Sequence, residues 1–131
     1  MSFSDDVRRF AVKTAEAHDK IARTATLELF SGVIKATPVD TGRARGNWQT
    51  SVGAPASGSL EREDRSGGEA VAEVEAKTPE GAGQVTYLTN NLPYIMELEE
   101  GSSKQAPEGM VRKNMDRVQR MVDAAIRKNR V

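Results

Sequence analysis

The sequence predicts an α+β domain in which a long N-terminal helix and a C-terminal helix pack on a small, mainly antiparallel sheet of three to four strands. Three observations predict it. Apolar residues recur at helical spacing from Phe3 to Val33 and again from Val111 to Ala125. Between them lie short segments that alternate in character, at 47–52, 70–77 and 85–89. Joining the first helix to the first alternating segment is Thr37-Pro38-Val39-Asp40-Thr41-Gly42-Arg43-Ala44-Arg45-Gly46-Asn47-Trp48, a stretch built to stop a helix and launch a strand.

The chain has 131 residues, enough for one domain spanning 1–131. The hydrophobic fraction is 37% and the aromatic fraction 5%, so the core is thin and part of the apolar surface calls for a partner. Formal net charge is zero, so no global field draws the chain to nucleic acid or membrane. The charges are segregated: eight basic against six acidic residues in 1–52, three against ten in 53–100, and eight against three in 101–131. An acidic middle between basic ends suits subunits that meet head to tail, and it also suits ordinary solvated faces. Cys is absent, which excludes disulfide and thiol chemistry and points to a cytosolic folding compartment. No apolar run approaches the ~18 residues of a membrane span, and the N-terminus lacks a signal-peptide layout.

In the first helix Ser2 or Ser4 supplies a cap, and Asp5 and Asp6 suit the positive end of the dipole. Phe3, Val7, Phe10, Thr14, Ala17 and Ile21 follow at helical spacing. Beyond Ile21 a stripe through Ala22, Ala25, Leu29 and Val33 is joined by a second through Leu27, Phe30 and Ile34, which predicts burial on two sides. About thirty residues at ~1.5 Å each make a rod of ~45 Å, too long for so small a domain, so its N-terminal part is expected to project or to pack on a neighbouring subunit.

Pro38 ends that helix through its effect on Thr37. Asp40 and Thr41 suit a turn or cap, Gly42 and Gly46 suit positive φ or close backbone approach, and Arg43 and Arg45 are left to reach outward. Trp48, the only Trp, is the expected anchor of the first strand to the core. Residues 54–68 are small and charged with the single apolar Leu60, and are expected to be a flexible loop. The segment 70–77 reads as a strand with Ala72, Val74 and Ala76 facing in and Glu73 and Glu75 facing water, paired as a hairpin with 85–89. Asn90 and Asn91 suit a turn, Pro93 opens a short helix with Tyr94, Ile95 and Leu98 on its apolar face, and Gly101 ends it. Ser102–Gly109 is a polar loop. The final helix carries Val111, Met115, Val118, Val122 and Ala125 as its stripe, with a largely basic remainder.

Gly, Thr, Asp and Arg between 37 and 48 do not make a P-loop, which needs the order strand, loop, helix and a terminal Lys. His18 is the only His and has no second His or Cys with which to share a metal. Glu97, Glu99 and Glu100 cluster, but acid–base work needs carboxylates in contrasting environments within a pocket. Solvation or an interface to basic residues suits them better. The closing helix could touch phosphates, although no aromatic residue within it would stack a base. No catalytic, cofactor or metal site is therefore expected. The candidate subunit interface sets Glu97, Glu99 and Glu100 against Arg43, Arg45, Arg112 and Arg117.

Thr37–Trp48 resembles the TPVDTG…W signature of small neck and tail-completion proteins, which join head to tail in long-tailed bacteriophages. Asn90-Asn91-Leu92-Pro93-Tyr94-Ile95-Met96-Glu97-Leu98-Glu99-Glu100-Gly101, followed by Ser103-Lys104-Gln105-Ala106-Pro107-Glu108-Gly109-Met110, is similar to the second half of that signature. Pro38, Asp40, Thr41, Gly42, Trp48, Asn91, Pro93, Tyr94 and Gly101 carry the match; Ala44 stands where a leucine often follows TGR. The resemblance covers nearly the whole chain. It implies an α+β virion subunit without enzymatic activity or cofactor, assembled as a homo-oligomeric ring, six- or twelve-fold, at the head–tail junction. Its partners would be other head-completion, adaptor and tail proteins, with non-specific proximity to packaged DNA and no membrane. It would be found in the virion, and in the host cytoplasm during assembly. Adaptor, stopper, terminator and tail-completion roles all stay open. The alternative function is a small nucleic-acid-binding protein using the basic C-terminal helix.

Overall fold

The computed structural model describes residues 3–81 and 83–128 and, for residues 3–17, the path of the backbone only. The predicted cap at Ser2 and the stripe from Phe3 to Ala17 thus lie outside the described residues and side chains. Helix α1 runs from Phe3 to Ala36, 34 residues. A short α2 (Arg43–Gly46) leads into strand β1 (Gln49–Val52). Helix α3 (Gly68–Lys77), strand β2 (Thr86–Thr89), short helix α4 (Ile95–Glu99) and helix α5 (Val111–Lys128) follow.

The mixed helix-and-strand character agrees with the sequence, but the sheet is smaller than predicted. It has two strands, β1 and β2, antiparallel with Gln49 opposite Thr89 and Val52 opposite Thr86. The segment 70–77 is a helix. Its sequence GEAVAEVEAK is rich in Ala and Glu, strong helix formers, with Glu69 in the first turn and Lys77 in the last. Ala70 and Val74, four apart, are fully buried, while Ala72 and Ala76 are exposed. The period is therefore 3.6 and not 2, and the hairpin partner of β2 is β1.

In place of a third strand, side chains meet the outer edge of β1. Thr50 N donates to Glu73 Oε1 of α3 at 2.8 Å. Glu73 Oε2 lies 3.3 Å from Arg62 Nη1, and Arg62 Nη2 donates to Trp48 O at 3.0 Å. Glu73, expected to face water, thus stands in for the missing strand.

The core forms where α1, α3 and the two loops beside them converge: Val33, Ile34, Trp48, Ala70, Val74, Ala106 and Met110. Leu27, Leu29 and Phe30 pack around it, so the second half of α1 is covered on two sides as its double stripe requires. Helix α5 returns antiparallel along α1, with Asn114 beside Gly32, Arg117 beside Glu28, and Met121 and Val122 beside Ile21 and Thr24. The predicted stripe of α5 is displaced at one point: Met115 is 54% exposed and Asn114 is buried. Asn114 Nδ2 donates to Met110 O at 2.8 Å, and its Oδ1 accepts from Arg117. A Cβ on Gly32 would stand 2.2 Å from that oxygen, so glycine lets α5 approach α1 there.

The segment 54–67 has no helix or strand, yet its second half is fastened. Leu60 N donates to Asn47 Oδ1, Asp64 N to Gly42 O, and Gly67 N to Asp64 O. Of 54–59, the carbonyls of Ala54, Ala56 and Gly58 are held by side chains of Ser51, Asn91 and Gln49, while the amides make no hydrogen bond among the described residues. Amide exchange is expected to separate the two halves, with slow exchange at Leu60 and Asp64 and fast exchange at 56–59. Uniformly fast exchange from 54 to 67 would show that the fastening does not hold in solution.

Candidate assembly site where the two motifs meet

The first motif begins with the end of α1. Thr37, fully buried, turns its hydroxyl back to donate to Val33 O at 2.7 Å. Thr37 Oγ1 in turn accepts from Trp48 Nε1 at 2.8 Å. Trp48 is 6% exposed and so anchors the strand as expected, with its polar tip satisfied.

Arg45 does not reach outward as the sequence suggested. Its guanidinium lies over the end of α1 and donates to Thr37 O, Lys35 O at 2.8 Å and Arg65 O at 2.6 Å. The last carbonyls of a helix have no partners within it, and a cation satisfies both their lone pairs and the negative end of the dipole. Burial lowers the pKa of this guanidinium, with the charge of Asp64 opposing that effect. Thr41 Oγ1 accepts from Arg43 N, closing the turn two residues on. Gly42 has φ +92°, and a Cβ there would lie 2.6 Å from Arg65 N, so the crossing of loop 64–65 over the motif needs glycine.

The second motif docks on the first through amide side chains. Val39 N donates to Gln105 Oε1 at 2.9 Å, and Gln105 Nε2 donates to Val39 O at 3.1 Å, as a neighbouring strand would. Asn90 Nδ2 donates to Ala44 O at 2.9 Å, and Asn90 Oδ1 closes a turn by accepting from Leu92 N. Asn91 holds the loop at Ala56 O and Gly58 O. Between the motifs lies a groove of about 260 Å³ lined by Pro38 to Ala44 together with Tyr94, Leu98, Ser103 and Gln105. Pro93 and Tyr94 turn into α4, and Gly101, at φ +96°, ends it in the left-handed conformation its position implied. Tyr94 faces the groove rim, while Ile95 and Leu98 take the core side.

Of the predicted interface residues, the structure pairs two with each other within one chain. Glu99 accepts from Met110 N and Val111 N at 2.8 Å, from Arg112 N at 3.1 Å and from Arg112 Nε at 3.0 Å. It is the N-terminal cap of α5, delivered from a different helix. Burial acts to raise its pKa, but the amide bonds from Val111, Met110 and Arg112 and the Arg112 guanidinium outweigh it, so the carboxyl titrates below its ordinary value. Arg117 bonds Glu28 and Asn114. Arg45, Glu99, Arg112 and Arg117 therefore have internal work, and charge reversal at Glu99 would disturb α5 before it disturbed any contact between subunits. Arg43, Glu97 and Glu100 are exposed, and their side chains make no hydrogen bond or ion pair among the described residues.

Gln105, Arg62 and Glu73 were not singled out from the sequence. Gln105 sits in a polar loop of unremarkable composition, and the strand reading of 70–77 had sent Glu73 to solvent. The one available signal was the small-residue spacing Ala106…Gly109-Met110, which brings a buried Met to the core behind Gln105. His18 is exposed. Among the described residues no group of His, Cys, Asp and Glu gathers as a metal site, and no helix is long and apolar enough to cross a membrane. No family model, no curated protein and no solved structure matches this chain.

Proposed function

We propose that this chain is a structural virion subunit, a ring-forming adaptor or tail-completion protein at the head–tail junction of a tailed bacteriophage. The observation that carries the reading is the ordered pair of motifs, 37–48 and 90–110, that resemble the neck and tail-completion signature. Its physical support is that each motif completes the other: Gln105 pairs with Val39, Asn90 holds Ala44, and a groove rimmed by exposed Arg43, Asp40, Thr41 and Tyr94 opens between them. A rigid, exposed junction of this kind is where a neighbouring subunit would grip. The role is mechanical and calls for no catalysis and no cofactor. Its setting is the virion, after assembly in the host cytoplasm, as a six- or twelve-fold ring beside head-completion, adaptor and tail proteins.

The alternative, nucleic-acid binding through α5, gains no particular observation. Arg112 and Arg117 are engaged with Glu99 and Glu28, which leaves Lys113, Arg120, Arg127 and Lys128 without ion pairs among the described residues. The test is electron microscopy of the purified protein, followed by its addition to isolated heads and tails. Rings that promote joining are the expected result. Failure to promote joining, together with strong salt-dependent binding of duplex DNA, would replace this reading by the alternative.

A further inference from the structure

A cleft of about 190 Å³ opens between the end of α1 and the loop 105–109. Lys35, Arg45 and Lys113 line it, and Glu108 is the one carboxylate among its lining residues. We propose that this cleft receives a carboxylate side chain from a second copy of the chain. The inference rests on the reading that copies of this protein associate, and it names the contact.

Positive charge outnumbers negative in the cleft, with Lys35, Arg45 and Lys113 against Glu108. Arg45 donates to carbonyl oxygens only. Lys35 and Lys113 are exposed and form no ion pair among the described residues. Cations gathered in a recess reinforce one another, because low-dielectric walls focus their field. The site is also rigid. Lys35 stands on the last turn of α1, Lys113 on the first turn of α5, and Arg45 is clamped by the carbonyls of Lys35, Thr37 and Arg65. A bound carboxylate would meet a pre-formed recess, and only the two lysine side chains would have to be ordered.

The matching acid is abundant on the same chain. Residues 53–100 hold ten acidic against three basic residues. Asp64, Glu73 and Glu99 serve internally, but Glu61, Glu63, Glu69, Glu75, Glu97 and Glu100 are exposed and make no ion pair among the described residues. A carboxylate on a side-chain stem fits this geometry better than a duplex phosphate does. The cations surround a recess rather than standing along a ridge, and Glu108 beside them opposes a polyanion.

Zero-length carbodiimide coupling tests it directly, because it joins an amine to a carboxylate only in contact. An equal mixture of ¹⁴N- and ¹⁵N-labelled protein, coupled and digested, distinguishes links between copies from links within one. Mixed-isotope peptides joining Lys35 or Lys113 to a carboxylate within 61–100 are expected. The double variant Lys35→Glu/Lys113→Glu should associate about tenfold more weakly or worse in sedimentation velocity, since like charges now meet. Its circular dichroism should stay unchanged, as neither side chain has an internal bond. Absence of such links, or unchanged association of the variant, overturns the proposal. Loss of duplex-DNA binding by the variant with association intact would make the cleft a phosphate site and overturn it too. If the links form but the protein does not join heads to tails, the contact stands and the proposed role falls. If the variant joins them normally, the contact alone falls.

Discussion

Trp48→Ala is expected to destabilise the fold by about 3–5 kcal/mol, the usual cost of deleting a buried large aromatic. In a domain of this size that corresponds to a fall in Tm of roughly 10–20 °C. The effect is large because Trp48 joins two elements at once. Its ring packs with Val33, Ile34, Ala70 and Val74, and its N–H bonds the hydroxyl that terminates α1. Thr37→Val separates these contributions. It keeps the ring but leaves a buried indole N–H without an acceptor, and should cost about 1–3 kcal/mol. Thermal or denaturant unfolding checks both. An unchanged midpoint in Trp48→Ala would mean that the strand is anchored elsewhere.

Glu99→Gln is expected to cost about 2–3 kcal/mol at neutral pH, since hydrogen bonds to a charged acceptor are worth more than neutral ones. It should also change how stability depends on acid. The folded state holds the Glu99 pKa below its ordinary value, so in acid the unfolded chain binds the proton first. The stabilisation from Glu99 is therefore complete above the ordinary carboxylate range and is lost as pH falls through the lowered folded pKa. Denaturant midpoints at pH 7 and pH 3 should lie closer together in Glu99→Gln than in the wild type. Equal acid losses in the two proteins would show that the cap carries no charge-dependent stability.

Much of the fold was legible because it follows from local rules. Thr37-Pro38 stops α1, Gly101 stops α4, and the double stripe of α1 forecasts burial on two sides. Trp48 could be placed because a lone large aromatic beside a turn has few other uses. The segment 70–77 could not, because Ala, Val and Glu in alternation satisfy both periods over ten residues. Only tertiary contact decides between them: Ala70 and Val74 meet α1 and β1, and Glu73 meets Thr50. The candidate site was half legible for the same reason. Its turns are local, but the partner of Glu99 lies eleven residues on, and that of Val39 lies sixty-six residues on. Charge pattern alone made Glu99 and Arg112 look like opposite sides of an interface, when they are complementary because they already touch.

The side chains on the outer edge of β1 bear on aggregation. Amyloid-like growth needs a sheet that offers both of its edges, so that each chain templates the next. Here the side chains of Glu73 and Arg62 bond the outer edge of β1 from within the chain, and among the described residues no side chain bonds the outer edge of β2 in the same way. Two copies that paired through their β2 edges would each then present only the edge met by Glu73 and Arg62. The side chains of α3 and of the loop before it thus restrict sheet growth to one side.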